Sequence, residues 1–168
     1  MQQHYHTFYS SPLGVLKICA TDTYISEVTF LEEGQPYPEM GDSKEMLNNV
    51  LQQCVEQFIE YFQGFRRQFE IPVAQNGTEF QLRVWSELIG IPFGKTISYK
   101  DLSKRLGDPK VIRAAASTNG KNKIAIIVPC HRVIGTNSDL VGYAGGLWRK
   151  KWLLAHENKV AHGVLTLF

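Results

Sequence analysis

Ser98-Tyr99-Lys100-Asp101-Leu102-Ser103-Lys104-Arg105-Leu106-Gly107-Asp108-Pro109-Lys110-Val111-Ile112-Arg113-Ala114-Ala115-Ala116-Ser117-Thr118-Asn119 reads as two short helices joined by a glycine turn. The Ser98 hydroxyl is placed to cap a helix over residues 99–106, and Gly107 ends it. Asp108 and Pro109 then supply an N-cap and a first helical position for a second helix over residues 110–119. Such a pair, in a basic region, matches a helix-turn-helix, although many helix pairs of this kind never touch DNA. A major-groove reader needs several Arg, Asn or Gln side chains aimed at base edges. The second helix offers Arg113 and then small residues. Either its backbone approaches DNA closely while the lone Arg fills the gap of an extruded base, or its alanines pack against another helix.

Toward the C-terminus, Ile124-Ala125-Ile126-Ile127-Val128 is an apolar run rich in β-branched residues, which predicts a buried extended segment. Pro129 stops its pairing and aims Cys130, with His131 and Arg132 next. A thiol held beside cationic groups is expected to have a lowered pKa and to act as a nucleophile. A buried, inert cysteine with two polar neighbours is the other reading. Gly142-Tyr143-Ala144-Gly145-Gly146 marks a loop whose backbone can come close to a ligand. A final helix follows, with Leu147, Trp148, Trp152, Leu153 and Ala155 as its apolar part. It is expected to end at His156-Glu157, with Arg149, Lys150 and Lys151 along its exposed side. Glu157 is either a solvated helix end or the partner of an imidazole.

Toward the N-terminus, Thr78 and Gln81 form a capping box for a helix with Phe80, Val84, Trp85, Leu88 and Ile89 on one face. Asn76-Gly77 is a turn signal that divides the chain into residues 1–77 and 78–168. In the first part, strands are expected at residues 5–9, 15–20 and 24–30, joined as antiparallel hairpins. Asp42 and Glu45 read as a capping box for a helix that Gly64 closes, with Leu47, Val50, Leu51, Cys54, Val55, Phe58 and Phe62 as its apolar stripe. A further strand is expected at residues 69–73. This half reads as scaffold.

The 168 residues are 43% hydrophobic, enough for one compact unit or two small domains. The net charge of +2 conceals an asymmetry: residues 1–80 hold 4 Lys/Arg against 11 Asp/Glu, and residues 81–168 hold 14 against 5. A half with a net +9 calls for a polyanionic partner, nucleic acid first. No apolar stretch reaches the length of a membrane span, and the first residues lack the pattern of a signal peptide. Cys19, Cys54 and Cys130 fit neither a disulfide framework nor a zinc site, which suits a reducing cytosol. His4 and His6 supply two ligands only, so no metal is expected.

Arg113, Asn122, Pro129-Cys130-His131-Arg132-Val133-Ile134-Gly135, Gly142-Tyr143-Ala144-Gly145-Gly146-Leu147 and Trp152-Leu153-Leu154-Ala155-His156-Glu157 together resemble the O6-alkylguanine-DNA alkyltransferase family. The likeness covers residues 78–158 closely and the acidic half in general layout. It implies an α/β N-terminal domain (an antiparallel sheet with a helix, ribonuclease H-like) and a mostly α C-terminal domain with a helix-turn-helix. By that resemblance, Cys130 is the nucleophile and permanent acceptor of an alkyl group from O6 of a flipped guanine, and of one on O4 of thymine. His131 is its base, through a water. Glu157 orients His131, Asn122 holds the active-site turn, and Tyr99 donates to the purine. Arg113 takes the place of the extruded base, and Val133, Tyr143 and Ala144 form the pocket. Lys100, Ala114, Ser117 and Thr136 join Tyr99 and Arg113 in contacting DNA. The partner implied is double-stranded DNA carrying O6-alkylguanine, held through its minor groove by a monomer without cofactor, in the cytoplasm with the chromosome or in a eukaryotic nucleus.

Three departures stand out. Ala115-Ala116 replaces a common Val-Gly, Lys123 replaces a common Pro, and the zinc ligands of some members are not recognisable. A lesion-flagging relative would lack the acceptor cysteine, which this chain has. A thiol hydrolase would need an oxyanion hole, for which no motif stands out.

Overall fold

The computed structural model describes residues 2–37 and 48–163. The chain divides into two compact units, Met1–Gln75 and Asn76–Phe168.

In the first unit, β1 (Tyr5–Ser11), β2 (Gly14–Ala20) and β3 (Ile25–Phe30) form an antiparallel sheet in that order. Period-2 alternation decides which face is buried: Leu16, Ile18 and Ala20 of β2 are fully enclosed. The Ser11 hydroxyl closes the first hairpin, taking the Leu13 N–H at 3.1 Å and donating to the Gly14 carbonyl at 2.6 Å. The helix α1 (Asn49–Phe62) starts from Asn48, whose side chain accepts the Leu51 N–H at 2.9 Å. Its stripe of Val50, Leu51, Cys54, Phe58 and Tyr61 is buried, and Tyr9 of β1 stacks on Phe58 at 6.2 Å. The expected Asp42–Glu45 box and Leu47 lie outside the described residues. Cys54 is a core residue, its thiol pushed up to about 12 by burial.

The strand expected at residues 69–73 is not formed; Val73 makes a single parallel bridge to Ile25. Pro72 has no N–H to extend the pairing. Upstream, the Gln57 side chain takes both backbone groups of Glu70, accepting its N–H at 2.9 Å and donating to its carbonyl at 3.1 Å.

In the second unit, α2 (Glu79–Ile89) opens with the expected capping box of Thr78 and Gln81. Val84, Trp85 and Leu88 are buried and Ile89 is exposed. Ser98 caps α3 (Tyr99–Arg105), and Gly107 turns the chain at φ +88°. Asp108 and Pro109 begin a 3-10 turn (Pro109–Val111) that leads into α4 (Ile112–Gly120), so the α-helical part starts two residues later than expected. The short β4 (Ile97–Ser98) and β5 (Val133–Ile134) pair in parallel. The last helix, α5 (Leu147–His162), passes the expected end at His156-Glu157, since no residue there breaks it before Gly163 at φ +69°.

Ile124, Ile126 and Val128 are buried as expected and Ala125 and Ile127 are half-buried, but residues 124–128 are a turn and not an extended segment. The Val128 N–H bonds back to the Ile124 carbonyl at 3.1 Å, and Ile126 sits at φ +71°. Hydrophobic periodicity reports burial in such a short run, not conformation. What replaces a partner strand here is a side chain, that of Asn122.

Candidate active site

The site is built on that turn. Asn122 Nδ2 donates to the Val128 carbonyl at 2.8 Å and the Ile124 carbonyl at 3.2 Å, while its Oδ1 accepts the Ile124 N–H at 3.1 Å. One amide thus closes the loop that delivers Pro129. The following residues form a 3-10 turn, Cys130–Arg132, before the chain enters β5. Cys130 is only 6% exposed and His131 is fully buried.

Glu157 reaches this turn from α5. Its Oε2 lies 2.7 Å from His131 Nε2, and its Oε1 accepts Arg132 Nε at 2.8 Å. Arg132 Nη2 adds a bond to Oε2 at 3.1 Å, and Nη1 donates to the Ile91 carbonyl at 2.7 Å. The Gly94 N–H approaches Oε1 at 3.4 Å. Burial works to raise the Glu157 pKa, but His131 and Arg132 outweigh it and hold the carboxyl well below the ordinary range. A carboxylate only accepts, so Nε2 carries the imidazole proton and Nδ1 carries the lone pair. Nδ1 has no hydrogen-bond partner among the described residues. Burial keeps the ring below its usual pKa of 6.5 against the pull of Glu157, so at neutral pH it is an available base.

The thiol itself departs from expectation. Burial raises the Cys130 pKa, and the Asn122 hydrogen bond and the Lys150 charge only partly oppose it. The resting group is therefore a thiol that needs its proton removed, not a standing thiolate.

Lys150 does not lie where its place in the sequence predicts. It was expected on the exposed side of the last helix, and it is fully buried. Its ammonium donates to the carbonyls of Val133 at 2.7 Å, Val141 at 3.0 Å and Gly142 at 3.2 Å. Burial lowers its pKa to about 8. Nothing in local spacing separates it from Arg149 and Lys151. Local pattern marks Arg132 only as a cationic neighbour of Cys130 and assigns Asn119 no role. Asn119 sits at the C-terminal end of α4, where an amide is unremarkable, so no local signal singles it out.

Around the thiol, the Tyr99 hydroxyl accepts from Asn119 Nδ2 at 3.2 Å and lies 3.4 Å from the Val141 carbonyl. The Tyr143 hydroxyl is buried without a partner among the described residues, its pKa raised well above the ordinary value by burial and by the charge Cys130 would carry. Val133 is buried and Ala144 is exposed on the glycine loop. On α4 the two readings of the alanines divide: Ala115, Thr118 and Asn119 face inward, while Arg113, Ala114 and Ser117 are exposed. Lys100, Lys123 and Thr136 are also exposed. The structure therefore brings Cys130, His131, Glu157, Asn122, Tyr99 and Val133 into one network. Arg113, Lys100, Ala114, Ser117 and Thr136 stay on the surface outside it.

Comparison with known proteins matches residues 4–75 to the 6-O-methylguanine DNA methyltransferase ribonuclease-like domain and residues 79–159 to the DNA binding domain of the same family. The chain belongs to the 6-O-methylguanine DNA methyltransferase family. It is 39% identical to the "Methylated-DNA--protein-cysteine methyltransferase" of Methanosarcina acetivorans, over 91% of this chain and 97% of that one. The constitutive enzyme of that name from Bacillus subtilis is 37% identical over 95% of this chain and 98% of its own. The crystal structure of the Mycobacterium tuberculosis O6-methylguanine methyltransferase superposes with a TM-score of 0.82 at 36% identity, covering 99% of both chains. The sheet-plus-helix first unit and the helical second unit are thus the fold of this methyltransferase family.

Proposed function

We propose that this member of the family repairs DNA by moving the alkyl group of O6-alkylguanine, and of O4-alkylthymine, onto Cys130, once per protein molecule. The observation that carries the reading is the chain of contacts behind the thiol. A buried carboxylate fixes one nitrogen of His131 as the donor and leaves the other as a base, in the same turn as Cys130.

In the reaction, His131 Nδ1 accepts the thiol proton, through one water. The sulfur attacks the alkyl carbon, an S–C bond forms and the C–O6 bond breaks, its electron pair staying with the guanine. Tyr99 hydrogen-bonds to the purine as that charge develops. Overall the thiol proton replaces the alkyl group on guanine. A thioether offers carboxylates and imidazoles no group to expel, so Cys130 is spent.

Residues 78–168 carry this chemistry and residues 1–77 are scaffold. Arg113 fills the stack left by the flipped base, while Lys100, Ala114, Ser117 and Thr136 contact the minor-groove side of the duplex. Val133, Tyr143 and Ala144 receive the guanine. A Mycobacterium tuberculosis relative of 35% identity, crystallised in complex with DNA, supports DNA as the partner. The protein acts as a monomer, in the cytoplasm with the chromosome.

The test is to mix the protein with duplex DNA containing O6-methylguanine and weigh it. One added methyl on the Cys130 peptide is expected, none on Cys19 or Cys54, and none in Cys130→Ala. Several turnovers per protein, or an unchanged mass, would overturn the proposal.

A further inference from the structure

We infer that Asn119 is a positioning residue that makes Tyr99 an obligatory hydrogen-bond donor to the base in the site. The inference rests on the alkyl-transfer reading and adds a residue to it.

Asn119 lies on the inward face of α4 and is 5% exposed. Its Nδ2 is 3.2 Å from the Tyr99 hydroxyl and 3.3 Å from the Cys130 carbonyl oxygen. A backbone carbonyl can only accept, so the amide nitrogen and not its oxygen must face Cys130. In that orientation its second hydrogen falls on the Tyr99 oxygen, and the two bonds from Nδ2 outweigh an Oδ1 that is buried without a partner among the described residues. A phenol that accepts from one side must send its own proton to the other.

In the free protein the acceptor within reach is the Val141 carbonyl, at a long 3.4 Å. That carbonyl already takes the Lys150 ammonium at 3.0 Å. Turning the phenol away from it therefore leaves no buried acceptor unsatisfied, and the usual penalty for breaking such a bond is absent. The arrangement suits a ligand that presents a lone pair, such as a purine ring nitrogen. It discriminates against one that presents an N–H there. Burial raises the Tyr99 pKa, and the Asn119 bond is the contact that lowers it. The same amide ties the carbonyl of the acceptor cysteine to α4, the helix whose outer face carries Arg113.

The test is a double-mutant cycle on single-turnover transfer from O6-methylguanine duplex. Asn119→Leu should slow transfer about tenfold when Tyr99 is present, and less than about twofold in the Tyr99→Phe background. Equal losses in both backgrounds would overturn the inference, because Asn119 would then act by packing or through Cys130. A second readout needs no transfer. In protein carrying ¹³C-labelled tyrosine, the Tyr99 resonance, assigned by its loss in Tyr99→Phe, should titrate at higher pH in Asn119→Leu and in Asn119→Ala than in the parent. An unchanged titration in the folded variants would overturn the inference. If the parent protein transferred no alkyl group, the alkyl-transfer reading would fail and the titration alone would decide the role of Asn119.

Discussion

Glu157 grips His131 at Nε2, 2.7 Å away, and thereby makes Nδ1 the basic nitrogen of a fully buried ring. The same carboxylate takes Arg132 through two bonds, so a single acidic group both tunes the base and neutralises a buried guanidinium.

Removing the charge from that carboxylate should therefore have two effects. Glu157→Gln leaves Arg132 buried without its counter-charge, and a loss of about 3–5 kcal/mol in urea unfolding is expected. It also frees His131 to adopt either tautomer. The pH profile of Cys130 alkylation by iodoacetamide should move to higher pH. An unmoved profile would count against the relay.

Stability should fall in acid in two stages. The folded pKa of His131 lies below 6.5, so its neutral form favours the fold fully above that pH, and the contribution is lost as pH drops through the folded value. Glu157, with its pKa lowered from 4.5, behaves likewise below the unfolded carboxylate value. Urea midpoints measured across this range should show both stages, and His131→Gln should lack the first.

Lys150 carries a consequence of the same sign at alkaline pH. Its pKa of about 8 lies below the 10.5 of the unfolded chain, so at this site the unfolded state holds more protons between those values. The contribution of Lys150 should rise with pH there, against the fall from the raised thiols of Cys54 and Cys130. Lys150→Met should abolish that rise. It should also cost about 1–3 kcal/mol through the carbonyls it strands, and speed proteolysis around Tyr143.

Arg113 is exposed and outside the cysteine network, so its contribution should depend on the duplex. Arg113→Ala should slow alkyl transfer from duplex DNA by about tenfold or more and transfer from the free O6-alkylguanine base by far less. Equal losses on the two substrates would argue against a role in base extrusion.

Much of this was legible in the chain itself. Hairpin turns, the Thr78–Gln81 box, the Ser98 and Asp108 caps and the small-residue helix with its one Arg are local signals, and each element lies within a few residues of its expected place. Cys130, His131, Asn122 and Glu157 could be singled out by their resemblance to a family, because that pattern is a property of order along the chain.

Only the tertiary structure decided the rest. It curled residues 124–128 into a turn because one amide, that of Asn122, offered a better set of partners than any strand within reach. It left the strand expected at residues 69–73 at a single bridge, where Pro72 offers no N–H and the Gln57 side chain holds the backbone of Glu70. It sank Lys150 and aimed Asn119 inward, though neither differs from its neighbours in local pattern. Helical periodicity places a residue on a face, but which face meets water is settled by what packs against it, and a buried charge is tolerated only where carbonyls from other segments converge. The ordering of the chain named the thiol. The folding of distant segments around it determined that it rests protonated, with a base, a donor and a buried cation set about it.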